Sequence, residues 1–265
     1  MLFLLMENTQ HLNINMKRLG INIDGVIRDF HSQFDKQYRK VFIHNPNLVA
    51  MDEENHAFRP YTADEEKEFE EKIKERERDL ITMPLDSFEL LNHYKFDSKT
   101  IKMTKLEIPD GVNYDPIELT PKQNLENFLY EEFPFQIFGM AEEYQGATEA
   151  VNKIQFIGLN SNKFEVILLS NQKAKAIPAT YHFLAKTNNR ARKVMFLNSD
   201  SEKWDYCDAI IDIMPATFQT KPEGKTSIKI NHLFNQWDAA DYSFDSIKEL
   251  CNKDFFERIF NDNQQ

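Results

Sequence analysis

Two polar side chains with the capacity for chemistry follow the first apolar run of this chain. Residues 19–23 are typical of a short buried strand, and Asn22 and Asp24 stand at its carboxyl end beside Gly25. Because glycine accepts backbone angles that other residues avoid, Asp24-Gly25 predicts a turn directly after the strand. Open α/β sheets carry their chemistry at the carboxyl ends of their strands. This stretch is therefore a candidate catalytic or binding site.

Further polar residues stand at comparable places along the chain. Ser170 and Asn171 end an apolar run, and Lys203 lies nine residues before Asp212, which itself lies inside an apolar run. Taken singly, such a Ser usually ends a strand and such a Lys is usually a surface charge. Asp212 is harder to dismiss, because an unpaired carboxylate inside an apolar run is costly to bury. The placement of these positions near strand ends makes them candidates for one site with Asp24.

The elements that would position these residues alternate from residue 145 onward. Nearly continuous apolar runs suit parallel strands that are covered on both faces. Strands are predicted at 164–169, 193–197, 209–213 and 227–231, the last at the sheet edge, and helices at 146–154, 174–186, 244–251 and 255–260. Strands alternating with helices at these spacings predict an α/β fold with a doubly wound parallel sheet.

The core is expected to be discontinuous, with residues 16–35 joined to residues 139–265. Residues 36–138 form a large insertion, and residues 1–15 form an N-terminal extension, for which Met16 would be an alternative start.

The insertion itself carries several local signals. Thr62 and Glu65 form a capping box that predicts a helix to about residue 81. Because this helix is dense in Glu, Lys and Arg, a solvated face is favoured over a partner-binding one. Alternation over residues 99–106 predicts a half-exposed strand, and Thr120-Pro121 predicts the start of a helix that ends near residue 133.

Together these pieces resemble the haloacid dehalogenase-like (HAD) superfamily of phosphohydrolases. Residues 22–26, Asn-Ile-Asp-Gly-Val, are similar to its first motif, Asp-x-Asp-Gly-Val/Thr. Asp29-Phe30, the helix Gly-Ala-Thr-Glu-Ala-Val at 146–151 and the spacing of Lys203 from Asp212 are similar to the 5'-nucleotidase/deoxyribonucleotidase branch. The resemblance implies a HAD-like, Rossmannoid core with a cap, residues 36–138, inserted between the first and second motifs.

The resemblance also implies a role for each motif position. In that family the first Asp attacks phosphorus, and the second is the general acid and base. Ser or Thr and Lys bind the phosphoryl oxygens, and the acidic fourth motif holds Mg²⁺ with the nucleophile. Carried onto this chain, these roles assign Asn22 (the nucleophile position, substituted) and Asp24 to catalysis, Ser170, Asn171 and Lys203 to phosphate binding, and Asn22, Asp24 and Asp212 to a weakened Mg²⁺ site.

Two departures from the family pattern bear on activity. Asn22 replaces the aspartyl nucleophile, and an uncharged amide cannot attack phosphorus. Ile213 stands where the branch commonly carries a second Asp, so the predicted metal site lacks two carboxylates. A laboratory Asp→Asn change would explain Asn22 alone, but Ile213 is an independent loss and favours natural decay of the site. Lys203 and the amides after Ser170 are still expected to tolerate an anion.

The composition limits which binding partners and which cellular location are expected. A net charge of -11 argues against general nucleic-acid binding, which needs a basic surface. The first six residues are apolar but too short to span a membrane. Cys207 and Cys251 suggest neither a pair nor a metal site, which fits a reducing compartment. We expect a cytoplasmic protein, or a virion-associated one if the chain is viral.

Three functions follow from these observations. The favoured prediction is a non-catalytic HAD-like protein with a binding or assembly role, whose ligand is a small phosphate-containing molecule or whose protein partner docks on the cap. The alternative is a Mg²⁺-dependent phosphomonoesterase of the nucleotidase kind, which predicts that Asn22→Asp gains hydrolysis. A subunit of a viral particle is the third candidate, suggested by a richness in Asn, Lys, Phe and Ile.

Overall fold

The structure, a computed structural model, describes residues 16–42, 49–52, 57–60, 98–101 and 117–261, and the single positions 64, 67, 94 and 96. The strands of these residues, in chain order, are β1 Lys17–Asn22, β2 Val49–Asp52, β3 Ala57–Pro60, β4 Lys99–Ile101, β5 Ile117–Leu119, β6 Phe164–Ser170, β7 Val194–Phe196, β8 Ala209–Asp212, β9 Thr226–Ile230 and β10 Tyr242–Phe244. The α-helices are α1 Phe30–Phe42, α2 Pro121–Asn127, α3 Ala147–Ser161, α4 Ala176–Lys186, α5 Lys203–Tyr206, α6 Pro215–Gln219 and α7 Lys253–Asn261. Two π-helical turns, Phe128–Glu132 and Phe135–Gly139, follow α2, and 3-10 turns lie at Leu233–Asn235 and Ile247–Leu250.

Six strands form one sheet in the order β10-β9-β8-β1-β6-β7, and every pairing in it is parallel. The chain builds outward from β1 through β6 and β7, and then returns to the other side of β1 to add β8, β9 and β10. This strand order is that of a doubly wound α/β fold, so the predicted fold class is confirmed. The order reverses between β1 and β8, and ligands of such sheets bind in the crevice outside the carboxyl ends at that point.

Alternation along the central strands divides the core between the two faces of the sheet. Phe164, Val166 and Leu168 of β6 face the cluster that α3 and α7 cover, whereas Ile167 and Leu169 face the smaller cluster around Trp204. Because both faces of these strands are covered, the run 166–169 is apolar throughout.

A further aromatic cluster joins the insertion to the core. Residues of α1, of α2 and its π-helical turns, and of α4 pack together with Tyr94 and Phe96. The start of α2 is as predicted, since Thr120 and Gln123 form a capping box and Pro121 takes the first helical position. This packing holds Phe30 and Phe138 close to the carboxyl edge of the sheet.

Two predictions about the far edge of the sheet are wrong. Residues 227–231 were expected at the edge, but β9 pairs with both β8 and β10, so β10 is the edge strand. Residues 244–251 were expected to be a helix, but they hold the end of β10 and a 3-10 turn. A three-residue strand contains too few alternations to be distinguished from a helix by its pattern.

Several predictions lie wholly or partly outside the described residues. Asp64 and Lys67 are helical, but the rest of the predicted helix at 62–81 lies outside the described residues. Residues 102–106 and the extension 1–15 also lie outside the described residues. The predicted domain boundaries remain predictions. Within the described part of the chain, no helix combines the length and apolarity needed to cross a membrane.

Candidate active-site region

Three parallel strands bring the predicted site residues to one edge of the sheet. Asn22 ends β1, Ser170 ends β6 and Asp212 ends β8. β1 lies between the other two, with Asn22 in register with Leu169, and with Ile21 in register with Ile211. Gly25 has φ of 82°, a conformation that glycine adopts without strain, and lets the chain turn sharply after Asp24. The predicted convergence of the strand ends is therefore observed.

The Asn22 side chain points its nitrogen at the Asp212 carboxylate. Its Nδ2 donates to Asp212 Oδ1 at 2.7 Å and to the Asp24 carbonyl oxygen at 3.1 Å. Both partners are acceptors only, so the nitrogen, rather than the oxygen, must face them. The amide nitrogen of Asn22 therefore links the Asp212 carboxylate to the Asp24 carbonyl oxygen.

Asp212 is completely buried, and its carboxylate is saturated by protein donors. The donors to Oδ1 are Asn22 Nδ2, Ile213 N and Met214 N, and those to Oδ2 are Lys203 Nζ and Thr217 Oγ1. A carboxylate offers about four lone-pair sites, and five donors occupy this one. No acceptor capacity remains at Asp212 for a further ligand.

Lys203 is also completely buried, and it lies between two carboxylates. Its Nζ is 2.7 Å from Asp212 Oδ2 and 2.5 Å from Asp200 Oδ1. Burial by itself would lower the pKa of Lys203, but the neighbouring Asp212 and Asp200 carboxylates outweigh burial, and the net effect raises the pKa. Lys203 is therefore charged, and its charge is offset within the protein.

Asp24 belongs to a closed ring of hydrogen bonds. Arg28 Nε donates to Asp24 Oδ1 at 2.8 Å, and Gln172 Nε2 donates to Asp24 Oδ2 at 2.5 Å. Thr180 closes the ring, since its hydroxyl accepts from Arg28 Nη1 at 3.1 Å and donates to Gln172 Oε1. Both carboxylate oxygens of Asp24 are thus hydrogen-bonded within the protein.

Arg28 is fully buried and links the strand-end turn to the insertion. Nη2 forms an ion pair with Asp24 Oδ1 at 2.7 Å, and Nη1 donates to the Phe138 carbonyl oxygen at 2.8 Å. The guanidinium lies 5.2 Å from the ring centroid of Phe138 and 5.0 Å from that of Phe183. Burial lowers the pKa of Arg28 and Asp24 opposes the shift, and a guanidinium stays charged under both influences.

The residues present do not fit a Mg²⁺ ion. Magnesium takes hard oxygen ligands in near-octahedral geometry, usually from one or two carboxylates. Here Asp212 is saturated, Asn22 presents a nitrogen to it, and Asp24 is paired with Arg28. Among the described residues, no group of three or more His, Cys, Asp or Glu side chains has an arrangement that could hold a metal. The predicted Mg²⁺ site is therefore not supported by the donors.

A cavity of about 470 Å³ opens beside this network. The site residues that line it are Asn22, Asp24, Asn171 and Gln172, and the insertion side contributes Lys122, Glu126, Leu129, Tyr130 and Phe138. The lining includes neither Ser170 nor Lys203 among the described residues. Ser170 is fully buried, and its hydroxyl accepts from Gln172 N at 3.3 Å. The phosphate-binding roles of Ser170, Asn171 and Lys203 remain predictions.

Five members of the network are absent from the motif pattern: Arg28, Gln172, Thr180, Asp200 and Thr217. Three of them stand at short spacings from a motif residue: Arg28 follows Asp24 by four positions, Asp200 precedes Lys203 by three, and Thr217 follows Asp212 by five. These spacings are a signal available in the sequence, because side chains so close in sequence can meet across a turn.

Two histidines pack at the start of α1, behind the turn that follows Asp24. The His232 Nε2 atom lies 3.1 Å from the Gly25 carbonyl oxygen, and His31 Nε2 is buried without a partner among the described residues. The pKa of His31 is lowered to about 4, mainly by burial and secondarily by the neighbouring His232. The Asp29 carboxylate opposes the shift. Burial also lowers the pKa of His232. Both rings are therefore neutral in the folded protein near neutral pH.

We expect the free energy of unfolding to fall as pH drops from about 6.5 to about 4. The folded pKa of His31 lies below its ordinary value of 6.5, so the unfolded chain takes up the proton first in this window. The loss should reach about 3 kcal/mol, since each pKa unit corresponds to about 1.4 kcal/mol. Urea unfolding at a series of pH values measures this loss. The His31→Phe variant keeps an aromatic ring at position 31, and in it the free energy of unfolding should depend less on pH. An equal acid loss in His31→Phe would contradict the assignment to His31.

Comparisons with known proteins give matches in structure only. No protein-family model matches the chain, and no curated protein sequence does. Similar solved structures include CbbY from Rhodobacter sphaeroides in complex with phosphate, with 11% identity, a TM-score of 0.47, and coverage of 89% of this chain and 96% of that one. A HAD-superfamily hydrolase of subfamily IA from Geobacter sulfurreducens has 11% identity and a TM-score of 0.45, with coverage of 89% and 95%. The putative HAD-hydrolase YfnB from Bacillus subtilis, bound to magnesium, has 12% identity and a TM-score of 0.41, with coverage of 89% and 97%. Likeness at this level carries no conclusion about the activity of this chain.

Proposed function

We propose that this chain is a HAD-like protein that has lost phosphoryl transfer and serves as a binding protein. The observation that carries the proposal is the Asn22 amide, which donates at 2.7 Å to an Asp212 carboxylate already saturated by protein donors. In an active site of this kind, the same two positions would carry the nucleophile and a metal ligand.

Phosphoryl transfer through such a site needs three things, and each is missing or already engaged. The nucleophile is missing, because a neutral amide at residue 22 does not attack phosphorus. The metal ligand is engaged, because Asp212 has no free acceptor. The cation for the transferred phosphoryl group is also engaged, because Lys203 lies between Asp200 and Asp212. The buried network thus engages the groups that catalysis would need.

The cavity supports a binding role. Its volume of about 470 Å³ is within the range of small-molecule pockets, and its walls come from both the sheet edge and the insertion. A protein partner docked on the insertion, and assembly in the cytoplasm or in a virus particle, belong to the same proposal and rest on sequence arguments alone.

Phosphomonoesterase activity of the nucleotidase kind is the second candidate. It is favoured by one observation, that Asn22, Asp24, Lys203 and Asp212 converge at the carboxyl edge of the sheet. It would require a nucleophile at residue 22 and release of Asp212 and Asp24 from their present donors.

The direct test is an assay of phosphate release by the unmodified protein. We expect no Mg²⁺-dependent hydrolysis of nucleoside monophosphates, sugar phosphates or p-nitrophenyl phosphate above that of the Asp24→Asn variant. Saturable, Mg²⁺-dependent turnover that disappears in Asp24→Asn would overturn the proposal. The matched variant is needed because it distinguishes turnover by this site from turnover by a contaminating phosphatase.

A further inference from the structure

Two neighbouring histidines contact the segments that line the cavity. His31 belongs to the first turn of α1, and His232 directly follows β9. Both imidazole rings pack on the ring of Phe234, with centroids 6.1 Å apart for His31 and 5.5 Å apart for His232. The His31 Nε2 atom is buried without a hydrogen-bond partner among the described residues. A proton added to this nitrogen would therefore find no acceptor among them.

His232 joins the turn after β1 to the 3-10 turn after β9. Its Nε2 atom lies 3.1 Å from the Gly25 carbonyl oxygen, and because a carbonyl oxygen only accepts, this nitrogen carries the ring proton. The backbone N–H of His232 donates to Asn235 Oδ1 at 2.8 Å. Gly25 follows Asp24, which lines the cavity. The neutral ring of His232 thus holds the turn that carries Asp24 against the 3-10 turn.

Asn235 extends this connection to another wall of the cavity. It is completely buried, and its Nδ2 atom donates to the carbonyl oxygens of Ile213 and Ile230, both at 2.9 Å. The next residue after Ile213 is Met214, which lines the cavity. A displacement of the 3-10 turn would therefore also loosen the backbone at Met214.

His31 contacts the aromatic wall of the cavity. Its ring packs edge-on against Phe30, with centroids 5.9 Å apart. Phe30 lines the cavity and stacks on Phe138, another lining residue, with centroids 5.4 Å apart. The two imidazole rings are thus connected by short chains of contacts to Asp24, Phe30 and Met214.

Among the described residues, the titratable groups that face the two rings are Asp29, at the end of the turn, and Tyr144, before α3. Burial is the largest influence on both rings and lowers the pKa of each. The Asp29 carboxylate opposes this effect at both rings, and the hydrogen bond to the Gly25 carbonyl oxygen opposes it at His232. Burial, and then Asp29, raise the pKa of Tyr144, which is therefore uncharged. The 3-10 turn contributes only the uncharged ring of Phe234 to these contacts.

We propose that His31 and His232 form a proton-sensitive switch that controls the shape of the cavity. When both rings are neutral, they hold the turn of Asp24 and the segment of Met214 in place. In mild acid the rings take up protons from the solvent, leave their enclosed positions for water, and let these two segments open locally. The inference rests on the proposed function for the role of the cavity, because it makes the binding of a ligand there dependent on pH.

Acid favours the open state because that state binds protons more tightly than the closed one. The pKa of His31 is about 4 in the closed state and 6.5 when the ring is in water, so the equilibrium constant for opening should rise about 30-fold between pH 7.5 and pH 5.0. The lowered pKa of His232 acts in the same direction. Above pH 7 both rings are neutral in both states, and the opening should not depend on their titration.

Amide hydrogen exchange of the full chain, followed by NMR without any ligand or metal, tests the switch. The reporting amides are those of Arg28, which donates to the Ile23 carbonyl oxygen, and Met214, which donates to Asp212 Oδ1. Leu168 of β6 is the reference for global unfolding, since its N–H donates to the Lys193 carbonyl oxygen within the sheet. Rates at pH 7.5 and pH 5.0 are corrected for the pH dependence of chemical exchange.

The expected result is a rise of tenfold or more in the opening constant at both reporting amides, which at pH 5.0 are at least tenfold less protected than Leu168. A smaller rise overturns the inference. Equal protection of all three amides at pH 5.0 also overturns it, because exchange would then occur by global unfolding alone.

Variants assign the effect to the two histidines. His31→Phe keeps an aromatic ring, and His232→Gln keeps a donor for the Gly25 carbonyl oxygen, so each should reduce the rise between the two pH values. His182→Gln is the matched control and should keep the full rise, since His182 is an exposed histidine of α4 that packs on Phe135. An undiminished rise in both switch variants would overturn the assignment.

The unmodified protein offers an independent check that does not depend on the folding of variants. The ring C–H resonances of His31 and His232 should titrate with midpoints below 6.5, and midpoints at or above 6.5 for both rings would overturn the inference. Because these measurements need no ligand and no turnover, their failure would leave the proposed binding function intact. Mg²⁺-dependent phosphate release would instead overturn the proposed function, which separates the two failures.

Discussion

Asn22→Asp should destabilise the protein and should not create a phosphatase. The change removes the hydrogen bonds from Asn22 Nδ2 to Asp212 Oδ1 and the Asp24 carbonyl oxygen, and it brings a second carboxylate against Asp212 in a buried site. Leaving a buried charge without compensation costs about 3–5 kcal/mol. Because two close carboxylates cannot both ionise easily, the loss should be smaller near pH 5 than at pH 8.

Chemical denaturation at the two pH values measures this effect, with Asn22→Ala as the control. Asn22→Ala removes the same donors without adding a charge, so its loss should be about 1–3 kcal/mol and nearly independent of pH across this range. Phosphate release by Asn22→Asp in millimolar Mg²⁺ should equal background. A stable Asn22→Asp protein that gains Mg²⁺-dependent hydrolysis would contradict the account and establish the phosphomonoesterase candidate.

Arg28→Met should be one of the most destabilising single changes in the chain. It removes a fully buried guanidinium that pairs with Asp24, donates to the Phe138 carbonyl oxygen and to Thr180, and lies between two phenyl rings. The Asp24 carboxylate would stay at a largely buried position without its cation. Breaking a buried pair in this way costs about 3–5 kcal/mol, which is a large part of the stability of an ordinary domain.

The matched control is Lys253→Met, which breaks an ion pair of the same four-residue spacing at the surface. The Lys253 side chain is 63% exposed and lies 3.3 Å from Glu257, so its loss should change the free energy of unfolding by no more than about 0.5 kcal/mol. The double variant Asp24→Asn with Arg28→Met should recover part of the stability, because it removes both charges. Equal, small losses in Arg28→Met and Lys253→Met would show that the buried pair contributes little.

The positions of the motif residues were predictable because parallel strands share one carboxyl edge. Once β1, β6 and β8 are recognised as strands of one sheet, Asn22, Ser170 and Asp212 must end near one another. The departure of Asn22 from the resembled motif was equally visible in the sequence. The sequence could not show the direction of each side chain. It therefore could not show that the Asp212 carboxylate is saturated by donors or that Lys203 is paired.

The remaining parts of the site depend on tertiary contacts that leave little trace in local pattern. Arg28 stands in a turn next to Asp29 and would ordinarily be read as a surface charge, yet it is fully buried between Phe138 and Phe183. Those two rings come from the insertion and from α4, more than a hundred residues away along the chain. The edge strand β10 was missed for a different reason, since Tyr242–Phe244 is too short to show a period.

The Asn22 amide, rather than a metal ion, joins Asp212 to the Asp24 carbonyl oxygen. A crystal of the unmodified protein soaked in Mn²⁺ and phosphate tests it most directly, because Mn²⁺ replaces Mg²⁺ at oxygen sites and has a measurable anomalous signal. We expect no anomalous peak within about 2.5 Å of an Asp212 oxygen, well beyond the usual ligand distance of about 2.1 Å. We also expect that Asn22 Nδ2 keeps its 2.7 Å contact with Asp212 Oδ1. A Mn²⁺ ion coordinated by Asp212, with Asn22 turned to present its oxygen, would contradict it.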